Sequence, residues 1–253
     1  MSSKFKVGVI GGTGFVGQRF VTLLENHPWF EVVCIAASER SAGKTYAEAV
    51  EGRWKLNVQM PSSLKDLIVK NINQVDEIAD QVDFVFCAVD MDKEKIKAFE
   101  EVYAKTETPV VSNNSAHRWT SDVPMVIPEI NPGHLEIIEK QKNRLGTKRG
   151  FIAVKPNCSI QSYVPAIHPL MSYNPQKIVV STYQAISGAG KVFKDWPEME
   201  DNLIPYISGE EEKSEKEPLK IWGHIEGNQI VKAEKPVISA QCYRVPVSDG
   251  HMA

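Results

Sequence analysis

The tripeptide Asn157-Cys158-Ser159 holds the side chain best suited to covalent chemistry in this sequence. It follows the strand-like run Phe151-Ile-Ala-Val154 and precedes a run that reads as a helix to about Met171. At a helix start, unpaired backbone N–H groups and the positive end of the dipole favour a thiolate. Cys158 is therefore expected to be a nucleophile. Cys34 and Cys87 sit in apolar strand-like runs and read as small buried hydrophobes. With Cys242 included, the four cysteines show neither zinc-ligand spacing nor a disulfide framework, and no metal site is expected.

A free thiol of pKa about 8.5 needs a base near neutrality. Of the six histidines, His27, His117, His134, His168 and His224 read as satisfied surface or cap residues. His251 follows Asp249-Gly250 on a turn leaving a strand that carries Arg244. Such a histidine can face a bound carboxylate and a sulfur together. The residues alone equally allow a terminal histidine with no role.

A second chemistry-bearing segment opens the chain, where Val7-Gly-Val-Ile10 runs into Gly11-Gly-Thr-Gly14-Phe-Val-Gly17. A short apolar strand breaking into glycines and then an amphipathic helix is a dinucleotide-binding pattern, with the pyrophosphate on the helix N-terminus. Its spacing is G-x-x-G-x-x-G, so a plain strand–turn–helix connection stays open. Gly11, Thr13, Gly14, Phe15, Val16 and Gly17 are the candidate cofactor contacts. At the end of the second strand, Ser38, Arg40, Ser41 and Lys44 can donate to a 2′-phosphate, and Glu39 is flanked by cations. This favours NADP over NAD, although an ordinary polar loop would look similar. A nicotinamide cofactor with a thiolate points to redox chemistry at an acyl carbon.

The elements that must position these groups alternate: strands at 5–10, 32–37, 84–88 and 110–112, with helices at 15–25 and 93–104. Alternation implies a Rossmann-type, doubly wound parallel sheet, with Gly11–Gly17, Ala36–Lys44, Cys87–Asp90 and Ser112–Arg118 beyond its carboxyl ends. After Cys158 the texture changes to a β-rich run Lys177–Ala185, a turn-rich acidic stretch Trp196–Lys220 and a strand-like run Val237–Val247. The expectation is an α/β protein with a cofactor domain over 1–155 and a second α+β catalytic and dimerisation domain with an antiparallel or mixed sheet over 156–253. Gly209–Glu217 is a charge run that reads as a solvated helix start.

The 253 residues, 42% hydrophobic and 24% charged, suit a globular protein with one large core or two modest ones. A net charge of −3 and no basic cluster interleaved with aromatics argue against nucleic acid, and no apolar run approaches membrane-spanning length. The N-terminus enters the first strand without an apolar leader, which points to the cytoplasm.

Six ordered motifs carry a resemblance that covers the whole chain. Gly11–Gly17, Ser112-Asn-Asn-Ser-Ala-His-Arg118, Pro156-Asn-Cys-Ser159, Gln184-Ala-Ile-Ser-Gly-Ala-Gly190, Ile204-Pro-Tyr-Ile-Ser-Gly-Glu-Glu-Glu-Lys213 and Arg244-Val-Pro-Val-Ser-Asp-Gly-His251 resemble the aspartate-semialdehyde dehydrogenase family, in its archaeal and fungal-like branch. The resemblance implies that L-4-aspartyl phosphate and NADPH yield aspartate 4-semialdehyde, phosphate and NADP⁺, in biosynthesis of lysine, threonine, methionine and isoleucine. It implies Cys158 as nucleophile, His251 as acid/base and Gln184 as the amide orienting the intermediate. It further implies Arg244 on the substrate carboxylate, Glu210 on its ammonium, Arg118 and Lys213 at the phosphate, and Asn114 beside that anion. Ser187-Gly188 resembles the segment at the nicotinamide end.

The family also dimerises through its second domain, implying a homodimer or homotetramer and apolar sheet surface prone to aggregate where uncovered. Its members run on past the histidine motif through more sheet and a final helix, so a C-terminally shortened chain of low or absent activity is expected here. The nearest rival is a malonyl-CoA reductase-like enzyme, against which Glu210 argues, because malonyl-CoA offers no ammonium. N-acetyl-glutamyl-phosphate reductase fits the motifs around Arg118 and Arg244 less well. A non-catalytic NADP-binding fragment is disfavoured by retention of Cys158, Gln184, Arg244 and His251.

Overall fold

The computed structural model of the chain describes residues 4–253. Its contacts divide it into two units, one holding the residues up to Val123 with Ile138–Val154, the other Pro124–Ile137 with Lys155–Ala253. A division at 155/156 leaves 124–137 with the first domain. The structure groups that segment with the second, where His134 Nε2 donates to Gly223 O at 3.1 Å.

The first unit contains β1 (Phe5–Ile10), α1 (Phe15–Leu23), β2 (Phe30–Ala37), α2 (Tyr46–Val50), β3 (Lys70–Asn71), α3 (Val75–Ala79), β4 (Phe84–Cys87), α4 (Lys93–Lys105), β5 (Val110–Ser112), α5 (Ile138–Leu145) and β6 (Ile152–Val154). The six strands pair in the order β3-β2-β1-β4-β5-β6, every pair parallel. The order reverses between β1 and β4, so a crevice opens at their carboxyl ends, where ligands of such sheets bind. Val7, Val9, Ile10, Ile35 and Val85 are fully buried, as strands covered on both faces require. Phe20 of α1 stacks on Phe86 at 4.8 Å between ring centroids and fixes the helix to the sheet.

The second unit contains α6 (Val164–Ile167), β7 (Lys177–Gln184), α7 (Glu210–Ile221), β8 (His224–Glu226), β9 (Gln229–Val231), β10 (Val237–Arg244) and β11 (His251–Met252). Its main sheet is mixed, in the order β10-β7-β11, with β10 parallel and β11 antiparallel to β7. Ile, Val and Thr suit β7 to a pleated surface, and its inner side chains Val180, Thr182 and Gln184 alternate with outer ones. β10 alternates likewise, burying Ile238, Ala240, Cys242 and Arg244. Its outer edge is covered, since Ala240 N donates to Glu215 and Cys242 N to Glu211 on α7, and Arg244 pairs with Ile204.

The expected helix after Cys158 is broken into the 3₁₀ turns Ile160–Ser162 and His168–Tyr173 around the four-residue α6. Pro165 and Pro169 lack the N–H groups a continuous helix would need. Cys158 lies in the turn before these pieces, so no long helix dipole acts on its sulfur.

Candidate active site

In the first unit, the glycine loop connects β1 to α1, which starts with Gly14 as an extended N-cap that offers no side chain to the first-turn N–H groups. A Cβ on Gly17 would be driven into Gly11 O and the Gly12 backbone, so only glycine lets the helix approach the loop. A Cβ on Gly14 would meet only Gly11 O, at 3.4 Å; its missing side chain instead keeps the loop open outward. Uncapped N–H groups and an open glycine surface fit a bound pyrophosphate. Thr13 and Phe15 are half-buried and Val16 exposed along this loop.

Beyond β2, Ser38, Arg40 and Lys44 are exposed at the same edge, available to a 2′-phosphate. Ser41 differs from them. It is buried, and its hydroxyl accepts from Arg53 Nη2 at 3.1 Å. The sequence signal for Arg53 was absent because it lies outside the loop. Gln18 ties it in, donating from Nε2 to Thr13 O at 3.1 Å and Arg53 O at 2.9 Å.

After β5, the Asn114 amide turns inward rather than toward solvent, donating to buried Glu100 at 2.9 Å and to Cys87 Sγ at 3.5 Å. Ser112 Oγ donates to the same Glu100 oxygen at 2.5 Å. Arg118 is buried and donates to Asn113 O at 3.5 Å. The loop histidine His117 is no surface residue: it is buried, bonded to Thr120 Oγ1 at 3.0 Å and Lys97 O at 3.2 Å. Burial also corrects His134, whose ring is held between Asn131 and Gly223 and whose pKa burial lowers. His168 is not a satisfied cap, since its buried Nδ1 meets no partner among the described residues.

In the second unit, strand register assembles the chemistry. Gln184, the last residue of β7, pairs with Arg244 on one side and His251 on the other. Residues directly opposite in a sheet share a face, so three strands deliver an amide, a guanidinium and an imidazole side by side. Arg244 is buried and its Nη1 donates to Ala185 O at 2.7 Å. Burial pulls its pKa down, partly offset by the negative charge of Glu210 and Cys158. Gly188 makes the close approach possible: a Cβ there would lie 2.8 Å from Arg244 Nη1 and 3.0 Å from His251 Nε2.

Cys158 is exposed, the other three cysteines are buried, and none of the four is in a disulfide. Crowding of the sulfur works against its charge, yet the hydrogen bond and charge of His251, with the charge of Lys155, outweigh it and lower the thiol pKa. Glu210 pushes weakly the other way. The same hydrogen bond raises His251 against the opposing effect of burial. Its Nδ1 lies 2.7 Å from Gly250 O, where an N–H donates. The Ala185 N–H, 3.2 Å from Nδ1, is 3.1 Å from that same carbonyl and is satisfied there. With Nδ1 protonated, Nε2 is the nitrogen free to exchange a proton with sulfur.

The turn itself is held by Asn157 and Ser159, to which the motifs assign no role. Asn157 Oδ1 accepts from Ser159 N at 2.9 Å and Ser159 Oγ at 2.6 Å, an Asx turn. Its Nδ2 donates to both Glu210 oxygens, at 3.2 and 3.0 Å, and Gln184 Nε2 reaches Glu210 at 3.4 Å. Lys213 Nζ pairs with Glu210 at 2.6 Å. Burial would raise the Glu210 carboxyl, but Lys213, Asn157 and Gln184 together hold it below the usual carboxylate range. The charge run is therefore one-faced: Glu210, Ser214 and Glu217 are buried at spacings of four and three, a signal that was available in the sequence.

Comparison with known proteins agrees with this geometry. Residues 6–138 match the family described as "Semialdehyde dehydrogenase, NAD binding domain", and 167–253 match "Semialdehyde dehydrogenase, dimerisation domain". The chain is 42% identical over 248 residues to aspartate-semialdehyde dehydrogenase of Archaeoglobus fulgidus, covering 98% of this chain and 70% of the relative. It is 43% identical over 250 residues to that of Methanothermobacter thermautotrophicus, covering 97% and 68%. Among solved structures, aspartate semialdehyde dehydrogenase with NADP from Candida albicans superposes with a TM-score of 0.85 at 37% identity, over 98% of this chain and 70% of that one. Among the described residues no helix is long and apolar enough to cross a membrane. With the ordered motifs, the paired sulfur and imidazole, and relatives matched over nearly all its residues, the chain belongs to the aspartate-semialdehyde dehydrogenase family.

Proposed function

We propose that this chain converts L-4-aspartyl phosphate to L-aspartate 4-semialdehyde through a thioester on Cys158, with NADPH as reductant, in biosynthesis of lysine, threonine, methionine and isoleucine. The observation that carries this reading is the mutual bias of Cys158 and His251, sulfur toward thiolate and imidazole toward imidazolium, beside Arg244 and Glu210. The thiolate attacks the acyl carbon, a C–S bond forms, and the C–O bond to phosphate breaks with phosphate leaving. The dinucleotide, when bound, supplies the hydride that makes the acyl group an aldehyde. As the C–S bond breaks the sulfur recovers its charge, and His251 Nε2 carries the proton that the tetrahedral oxygen gains and returns.

Arg244 offers the planar donor that an α-carboxylate needs, and Gln184 an amide beside the reacting carbon. A substrate ammonium would replace Lys213 on Glu210, which frees Lys213 for the phosphate, with Arg118 as the second cation. Gly11, Gly14, Gly17 and the first turn of α1 hold the pyrophosphate in this reading, with Ser38, Arg40 and Lys44 at the 2′-phosphate and Ser187-Gly188 at the nicotinamide end. Val179, Tyr183 and Val237 on the uncovered face of the second sheet are exposed and suit contact between copies in a homodimer or homotetramer. Unpaired cysteines suit the cytoplasm.

Incubation with aspartate 4-semialdehyde, NADP⁺ and phosphate is expected to form NADPH in proportion to phosphate. Cys158→Ala is expected to slow this by about 10⁴-fold or more, the scale of losing a covalent nucleophile. NADPH formation that ignores phosphate, or that survives Cys158→Ala, overturns the proposal.

A further inference from the structure

We infer that Glu217 is a positioning residue for the nucleophile, acting with Tyr163 to clamp the Asn157–Ser159 turn onto helix α7. The inference rests on Cys158 being the nucleophile. Glu217 is 1% exposed, and its Oε2 accepts the Asn157 N–H at 2.6 Å, one residue before the sulfur. On the far side of the sulfur, Ser159 Oγ meets Ser214 Oγ at 3.3 Å. Glu217 and Ser214 thus grip the turn from the same face of one helix.

A proline explains the second attachment. Pro218 lies inside α7 and has no N–H, so the carbonyl four residues back, that of Ser214, loses its usual donor. Tyr163, which follows the nucleophile turn, donates its hydroxyl to Ser214 O at 2.9 Å. The helix carries a built-in vacancy in its hydrogen-bond ladder, and the segment bearing the nucleophile fills it. Both bonds fix the backbone from which Cys158 reaches His251.

A carboxylate beside a thiolate is electrostatically unfavourable, so position and charge give opposite signs. The test is the rate of iodoacetamide alkylation at Cys158 against pH, followed by peptide mass, in the wild type, Glu217→Ala, Glu217→Gln and Tyr163→Phe. If Glu217 positions the turn, Glu217→Ala slows alkylation at neutral pH by about tenfold and moves the inflection up toward the ordinary thiol value of about 8.5. Glu217→Gln, which keeps an acceptor for the Asn157 N–H, stays within about twofold of wild type, and Tyr163→Phe slows the rate by about threefold. Equal downward shifts of the inflection in both Glu217 variants, or no change in Glu217→Ala, overturn the inference. Should Glu217→Ala fail to fold, the other two variants decide: a slowed Tyr163→Phe with a normal Glu217→Gln sustains the inference, and an unchanged Tyr163→Phe overturns it. The underlying reading fails separately, if the fast-reacting thiol of the wild type proves by peptide mass not to be Cys158.

Discussion

Around Gly11–Gly17 the first unit offers backbone N–H groups and the absence of side chains, all from one stretch of seven residues. Around Cys158 the second unit offers side chains only, drawn from four elements: Gln184 from β7, Glu210 and Lys213 from α7, Arg244 from β10, His251 from β11. The contrast shows two ways of making a site. A backbone site needs local turn geometry and tolerates change in the side chains around it. A side-chain site needs distant strands to pair in one register, and each residue in it is separately exposed to loss.

The sharpest attack on the second kind of site is His251→Ala. Turnover is expected to fall by about 10³-fold, the range of a lost general acid/base, and the inflection for Cys158 alkylation to move up toward about 8.5. The sign follows from the pair: Cys158 is lowered and His251 raised, so the ion pair is lost by sulfur protonation as pH falls and by imidazolium deprotonation as pH rises. The wild-type rate should therefore peak between the two folded values, and the variant should lose the rate on the acid side of that peak.

Gly17→Ala tests the backbone site, and should weaken NADPH binding in a fluorescence titration by about a hundredfold, because the added methyl separates helix from loop. Gly188→Ala should lower kcat by about thirtyfold while the alkylation inflection of Cys158 shifts, since the new methyl displaces Arg244 and His251 together. Arg40→Ala, a side chain at the rim of a backbone site, should cost NADPH about fivefold in affinity and leave NADH unchanged. A larger loss from Arg40→Ala than from Gly17→Ala would dissolve the contrast between the two sites.

The same contrast decides what could be read from sequence. The parallel sheet, the glycine loop and the edge carrying Ser38, Arg40 and Lys44 follow from alternating apolar runs and contiguous motifs, and they stand in the structure at those places. Cys158 and His251 could be nominated by chemistry, and family motifs supplied Gln184, Glu210, Lys213 and Arg244. No local pattern announces that Gln184 lies between Arg244 and His251, because pairing partners 60 or more residues apart leave no periodic trace. The helix expected after Cys158 failed for a local reason, the prolines at 165 and 169. For Asn114 the resemblance implies a place beside the substrate anion, and no local pattern announces that its amide donates to buried Glu100, 14 residues earlier. Glu217 was hidden in a run of charges whose average looks solvated, although one face of that helix is buried.

The eight-residue ladder between β7 and β10 gives the site a parity. Side chains on adjacent positions of a strand face opposite ways, so deleting one residue from the middle of β10 would not nudge Arg244; it would turn it to the far side of the sheet. Two deletions would restore the face but move the guanidinium by two paired positions, about 7 Å along the strand. Insertions between β9 and β10 leave that parity intact, whereas a single insertion or deletion inside β10 reverses it.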